Sequence, residues 1–211
     1  IYKINISGND YFSEKELLQM ASIDPERSIW DVNLTMAATM IKSHPFIDKV
    51  HISRQFPDIL TIQVQEKKPV ALLNFDNQLF CLDPSGMVLP SNPAKSYHLP
   101  VITGKFKGGL KPGSQIQNAW VDEGLHLVQY VLEKHPRLYG QISEVVVGKM
   151  DGSIMILRDR GIPVYLLRKQ KDIQIEALFA VLSDLSEANE LNEVNYIDLT
   201  FQNQVVVGMG V

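Results

Sequence analysis

The sequence predicts an α+β chain: a βααββ module over residues 1–69, then a larger mixed or antiparallel β-sheet domain over 70–211 flanked by two helices. Three observations carry this. Residues 44–71, HPFIDKVHISRQFPDILTIQVQEKKPVA, alternate with period 2 on both sides of a Phe56-Pro57-Asp58 turn and end in Glu66-Lys67-Lys68-Pro69. Two short stretches before them have helical spacing. After them, short strand pairs alternate with two long amphipathic segments, 117–134 and 170–188.

The chain begins in a strand, and Gly8-Asn9 turn it. Ser13 and Glu16 have capping-box spacing ahead of Leu17, Leu18 and Met20, so a helix runs from Ser13 to near Ala21, where Asp24-Pro25 breaks it. A second helix takes Asp31 or Asn33 as its cap, turns Leu34, Met36, Ala37, Met40 and Ile41 inward, and stops at His44-Pro45. In the hairpin, Val50 and Ile52 lie opposite Lys49, His51 and Ser53, while Leu60, Ile62 and Val64 alternate with Thr61, Gln63 and Gln65. One face of the sheet is therefore apolar, and the two helices must cover it.

Past Pro69, strands at Val70–Phe75 and Gln78–Leu82 are joined by Asp76-Asn77, and Asp83-Pro84-Ser85-Gly86 is a second turn. Residues 91–113, rich in Pro, Gly, Ser and Lys, form an irregular connection around a short strand at Leu99–Thr103. A helix over 117–134 follows, with Trp120, Val121, Leu125, Val128, Val131 and Leu132 on one face and Pro136 after its end. Strands at Ile142–Gly148, Ser153–Leu157 and Val164–Leu167 are separated by Asp151-Gly152 and Arg160-Gly161. The helix over 170–188 carries Ile173, Ile175, Leu178, Val181, Leu182 and Leu185 on its apolar side and ends at Asn189–Asn192. Strands at Val194–Phe201 and Gln204–Val207 complete the sheet. No fixed-period repeat occurs.

Composition excludes several function classes. At 211 residues with 45% apolar and 21% charged residues, the chain has an ordinary globular make-up. A net charge of −4 and basic residues in pairs at most provide no phosphate-tracking patch. Cys81 is the only cysteine, so neither an internal disulfide nor a thiolate metal cluster can form. The five histidines, His44, His51, His98, His126 and His135, never fall at metal-ligand spacing. No nucleophile elbow is present; Ser85 and the acids Asp76 and Asp83 are accounted for by turn formation. Gly104–Gly109 lacks the strand-to-helix context of a phosphate cradle. The expectation is a chain with no catalytic, cofactor or metal site.

The terminal strand is different. Residues 204–211 are apolar and β-branched, follow a short Gln202-Asn203 turn, and have no covering helix after them. An open edge there would accept a partner strand by β-augmentation, while a strand that merely closes the core explains the same pattern. Gly208 and Gly210 would let the strand bend or be approached closely by another backbone, while a frayed terminus explains them equally well.

The order of elements, the GN turn, the FPDIL hairpin and the EKKPVA exit together resemble the POTRA domain of the bacterial cell division family FtsQ/DivIB. CLDPSGMVLP looks like that family's D-x-x-G hairpin, and VNYIDLTFQNQVVVGMG resembles its terminal strand pair. The resemblance implies a non-catalytic divisome scaffold in the bacterial inner membrane. A single membrane-spanning helix would lie just before Ile1, with this fragment on the extracytoplasmic side. It also implies docking of the bitopic partners FtsB and FtsL at the β-domain edge, here Thr200, Phe201, Gln204, Val205, Val206, Val207, Gly208 and Met209, and of other divisome proteins at the POTRA domain. The family's D-L-R-Y falls on Asp198, Leu199, Thr200 and Phe201 and its V-G-W on Val207, Gly208 and Met209. Thr200, Phe201 and Met209 thus stand where an arginine, a tyrosine and a tryptophan are expected. The alternative is a POTRA-bearing outer-membrane assembly or secretion factor that binds client strands by β-augmentation. Several POTRA repeats and a barrel would be expected there.

Overall fold

The computed structural model describes residues 3–91, 96–106, 108–149 and 152–210. Ile1 and Tyr2 of the first strand, residues 92–95 and 107 of the long connection, Asp151 of the expected Asp151-Gly152 turn, and Val211 lie outside the described residues. The chain divides into two compact units, Ile1–Lys68 and Pro69–Val211, each with its own apolar core.

The first unit runs β1 (Lys3–Ser7), α1 (Glu14–Met20), α2 (Leu34–Lys42), β2 (Ile47–Gln55) and β3 (Ile59–Glu66). β3 is the central strand, with β1 parallel on one side and β2 antiparallel on the other. A parallel β1/β3 pair needs a crossover, and the helices supply it. Leu60, Ile62 and Val64 meet Leu17 of α1 and Ala37 and Ile41 of α2 in one buried cluster. Each such Leu, Ile or Val side chain, fully buried, contributes on the order of 1.5–3 kcal/mol.

Both helices start as their caps dictate. Ser13 Oγ accepts the Glu16 amide while Glu16 accepts the Ser13 amide at 2.8 Å. Asn33, rather than Asp31, caps α2 by accepting from the Met36 amide at 3.0 Å. That start sets the helix phase so that Ala37 and Ile41, one turn apart, face the sheet. Met36, expected inward, sits a quarter-turn off this stripe and is 61% exposed. At the far end of β3, Glu66 accepts the backbone amides of Asp10, Tyr11 and Phe12 at 3.0, 2.7 and 3.0 Å, fixing the β1–α1 connection. Gly8 turns there at φ +81°, where a Cβ would fall 1.9 Å from the Val64 carbonyl oxygen.

The second unit comprises β4 (Ala71–Phe75), β5 (Gln78–Leu82), β6 (Val88–Leu89), β7 (Val101–Thr103), α3 (Ala119–Lys134), α4 (Pro136–Gln141), β8 (Ile142–Lys149), β9 (Gly152–Leu157), β10 (Pro163–Leu167), α5 (Lys171–Glu187), β11 (Val194–Asp198) and β12 (Val206–Met209). Its nine strands form one mixed sheet in the order β12-β11-β10-β9-β8-β7-β4-β5-β6. The β4/β7, β7/β8 and β10/β11 pairs are parallel and the rest antiparallel. Ile102, Val145, Met155, Val164 and Ile197, one from each of five adjacent strands, share a core with Val121, Leu125 and Val128 of α3 and Ile175 and Leu178 of α5. Gly124 lets α3 approach closely: a Cβ there would lie 3.1 Å from both Ile102 and Val147. The two φ > 0 residues Asp76 and Asn77 make the β4–β5 turn, and the buried Asp83 carboxylate accepts the amides of Ser85 and Met87 at the next one.

Pro136 follows the end of α3, as expected, and also opens the short helix α4 at its first turn, where no amide is needed. In α5 the side facing the sheet carries Gln174, not Ile173. Gln174 accepts the Leu167 amide at 3.1 Å and donates to the Leu199 carbonyl at 3.0 Å, joining β10 to the end of β11, and Ile173 is left 67% exposed. Two backbone groups, one at buried Leu199 and one at half-buried Leu167, needed partners, and an amide side chain can satisfy both.

A polar cluster binds the helices to the sheet. Glu123 of α3 accepts from Lys171 Nζ at 2.7 Å and from Ser153 Oγ of β9 at 2.8 Å. Its second oxygen faces Arg168 Nε at 3.1 Å as an ion pair, off the line of a hydrogen bond. The Arg168 guanidinium also lies 4.4 Å from the Trp120 ring centroid. Burial alone would raise the Glu123 carboxyl; the bonds from Lys171 and Ser153 and the charges of Lys171 and Arg168 prevail and hold it below its usual 4.5. A carboxyl lowered in the folded state stabilises the fold above its unfolded value and loses that contribution as pH falls through the folded one. The stability gap between wild type and Glu123→Gln, measured by urea melts, is therefore expected to be widest near neutral pH and to close on acidification below 4.5.

Candidate functional site

β12 lies at one end of the nine-stranded order and pairs, among the described strands, with β11 alone. Its register sets Val206 opposite Asp198, Val207 opposite Ile197, Gly208 opposite Tyr196 and Met209 opposite Val194, with a bulge at Asn195. Two bonds fix which way its backbone points. The Leu199 amide donates to the Tyr165 carbonyl of β10, so by alternation Tyr196 and Asp198 direct their backbone groups at β12. The Gly210 amide donates to Glu193, so Gly208 and Val206 point back toward β11. The amides and carbonyls of Val207 and Met209 consequently face outward from the sheet.

Side chains alternate in the other plane. Val205 and Val207 pack against the core, and Val206 and Gly208 take the opposite face. On that face the Tyr196 ring covers Gly208, where a Cβ would fall 2.1 Å from a ring carbon. Tyr165 meets Tyr196 edge-on at 6.3 Å, and both rings are more than a third exposed. The close approach at Gly208 is thus made by a tyrosine ring of the same chain, not by another backbone.

Of the residues expected to form the docking edge, Val206, Val207, Gly208 and Met209 lie on one strand. Gln204 and Val205 precede it, so the strand begins two residues later than its apolar pattern suggests. β11 likewise stops at Asp198, short of Phe201, because the Asp198 carboxylate accepts both the amide and hydroxyl of Thr200, at 2.8 and 2.6 Å, and turns the chain. The Thr200 hydroxyl is thereby engaged within the turn. Phe201 is 53% exposed in the connection, and Met209 is 40% exposed at the strand end. Tyr165 and Tyr196 were not among the expected site residues; the only signal was Tyr196 standing two before Asp198 on the alternating stretch VNYID.

Among the described residues no three His, Cys, Asp or Glu side chains gather as a metal-holding group. Cys81 is buried, which pushes its thiol up against a weaker opposing bond from Tyr97. No helix of the described residues is long and apolar enough to cross a membrane.

Comparison with known proteins gives two adjoining family matches. Residues 1–67 match the POTRA domain, FtsQ-type, and residues 68–208 match FtsQ/DivIB, C-terminal related. The chain is 26% identical over 165 residues to the cell division protein FtsQ of Syntrophotalea carbinolica, covering 78% of this chain and 58% of that protein. It is 22% identical over 206 residues to FtsQ of Geotalea daltonii, covering 97% and 74% respectively. It is 23% identical over 179 residues to FtsQ of Myxococcus fulvus, covering 84% and 62%.

Gly208 and Tyr196 should behave as one unit. Gly208→Ala is expected to cost about 1–3 kcal/mol by overpacking against the ring. In a Tyr196→Ala background most of that cost should vanish, and a double-mutant cycle of denaturant melts reads the coupling.

Proposed function

The chain belongs to the FtsQ/DivIB family of cell division proteins, and we propose that it is the extracytoplasmic part of a single-pass inner-membrane scaffold of the divisome. In this reading it is non-catalytic, docks FtsB- and FtsL-type bitopic partners along β12, and helps coordinate septal cell-wall synthesis. The observation that carries it is the unshared row of backbone groups at Val207 and Met209, at the end of the sheet. A partner strand laid there would gain main-chain hydrogen bonds, and the apolar Met209 and Phe201 beside it would select among partners by side chain.

Thr200, Phe201, Gln204 and Val205 would contribute from the connection, and Val206 and Gly208 would hold the edge in register on β11. The POTRA unit has an open edge of its own in β2, beside α2, and other division proteins are proposed to use it. The secretion alternative is disfavoured because the second unit matches the FtsQ/DivIB C-terminal family over 68–208 rather than further POTRA repeats.

Proline distinguishes the two faces of the edge strand, since it removes one amide at a chosen position. Val207→Pro deletes an outward donor and is expected to weaken pull-down of an FtsB-type ectodomain by about tenfold or more, with circular dichroism unchanged. Val206→Pro instead deletes an inward donor to Asp198 and is expected to lower stability as well. Undiminished binding by folded Val207→Pro protein would count against β12 as the docking strand.

A further inference from the structure

The POTRA unit carries an aromatic patch that its core does not use. Phe56 at the tip of the β2–β3 hairpin is 75% exposed, and Trp30 in the turn before α2 is 60% exposed, yet their rings pack at 5.5 Å. Arg54 holds them in place. Its guanidinium lies 5.6 Å from the Trp30 centroid and donates to the carbonyls of Ile29, at 3.0 Å, and Val32. Buried Ile29 anchors the same turn, so Trp30 is a fixed outward projection rather than a loose side chain.

The location of this patch gives it an occupant. β1 is parallel to β3, and Lys3 stands opposite Ile59, three residues past Phe56, with the Lys3 amide directed at the Asp58 carbonyl. The tip and the start of β1 are therefore at the same end of the sheet, on the order of 10 Å apart. Glu66, where β3 ends, is at the opposite end. If the proposed anchor precedes β1, it must join the POTRA unit at the end where Trp30 and Phe56 project.

We infer that Trp30 and Phe56 seat in the bilayer interface beside the anchor and fix the orientation of the POTRA unit on the membrane. This rests on the single-pass reading above. An indole suits the headgroup level and a phenyl ring the boundary with the acyl chains. Around the patch, Lys3 and Arg54 are offset by Asp31 and Asp58, so attraction to anionic lipid is not the source of binding. The tether supplies the effective concentration that two rings alone would lack.

The test uses the full-length protein, with its N-terminal segment, in phosphatidylethanolamine/phosphatidylglycerol vesicles doped with phosphatidylcholine brominated high on the acyl chain. The emission of Trp30, taken as wild type minus Trp30→Phe, should be quenched at least twofold by the brominated lipid. Phe56→Ser should remove at least half of that quenching. Replacing phosphatidylglycerol by phosphatidylcholine should leave it unchanged. Carbonate-resistant flotation of the same samples reads the anchor separately: a chain that does not float removes the premise and the inference with it. A chain that floats while its Trp30 emission is quenched by aqueous acrylamide, and not by the lipid, overturns the inference and leaves the anchor standing. Shielding of Trp30 only after a partner protein is added would also overturn it, by assigning the patch to protein.

Discussion

A strand carries two rows of hydrogen-bonding groups, and in this sheet the last strand has a neighbour for only one of them. The seven inner strands have neighbours on both sides, and β6 at the other end is bonded on its outer side to Gly113 and Ser114 through Val88. β12 is held by β11 through Val206 and Gly208 and turns Val207 and Met209 outward. An edge of this kind is a liability in a free protein, because any exposed strand of suitable pattern can add to it. Natural edges are commonly blunted by charge, proline or extreme shortness; the stretch VVVGM has only the last of these.

The framework behind this edge is stiff. Ile197 is fully buried, Gln174 of α5 bridges β10 to the end of β11, and Asp198 locks the turn through Thr200. The Glu123–Lys171–Arg168 cluster ties α5 to α3 and, through Ser153, to β9. A partner strand would therefore meet a preformed template and lose its own freedom rather than the protein's. The bulge at Asn195 and the Tyr196 ring over Gly208 fix the register of β12 on β11.

Local chemistry was the most legible part of this chain. Ser13 with Glu16, Asp76-Asn77, Asp83 ahead of Ser85-Gly86, and Arg160-Gly161 each specify a cap or turn from their own neighbours, and the structure follows them. The α+β order and the character of both units were legible for the same reason: the period changes wherever the element type changes. What failed to show were choices made across the fold. Met36 and Ile173 fit an apolar stripe as well as their neighbours do; only the phase set by Asn33, and the backbone groups at Leu167 and Leu199 that need partners, decide that both stay outside and that Gln174 turns inward. The extent of β12 was blurred because Val205 continues the apolar run of Val206 and Val207 while Asp198 has already ended the ladder. The Trp30–Phe56 pair is not legible in the sequence, since the two residues are distant along the chain and meet only at the hairpin tip.

Amide hydrogen exchange of the second unit with and without an FtsB-type ectodomain tests the central claim most directly, residue by residue. The amides of Val206 and Gly208 should exchange slowly in both states, being bonded to β11, while those of Val207 and Met209 should exchange fast in the free protein and become protected on binding. Saturable binding that leaves Val207 and Met209 fast, with protection appearing on another surface, would contradict it.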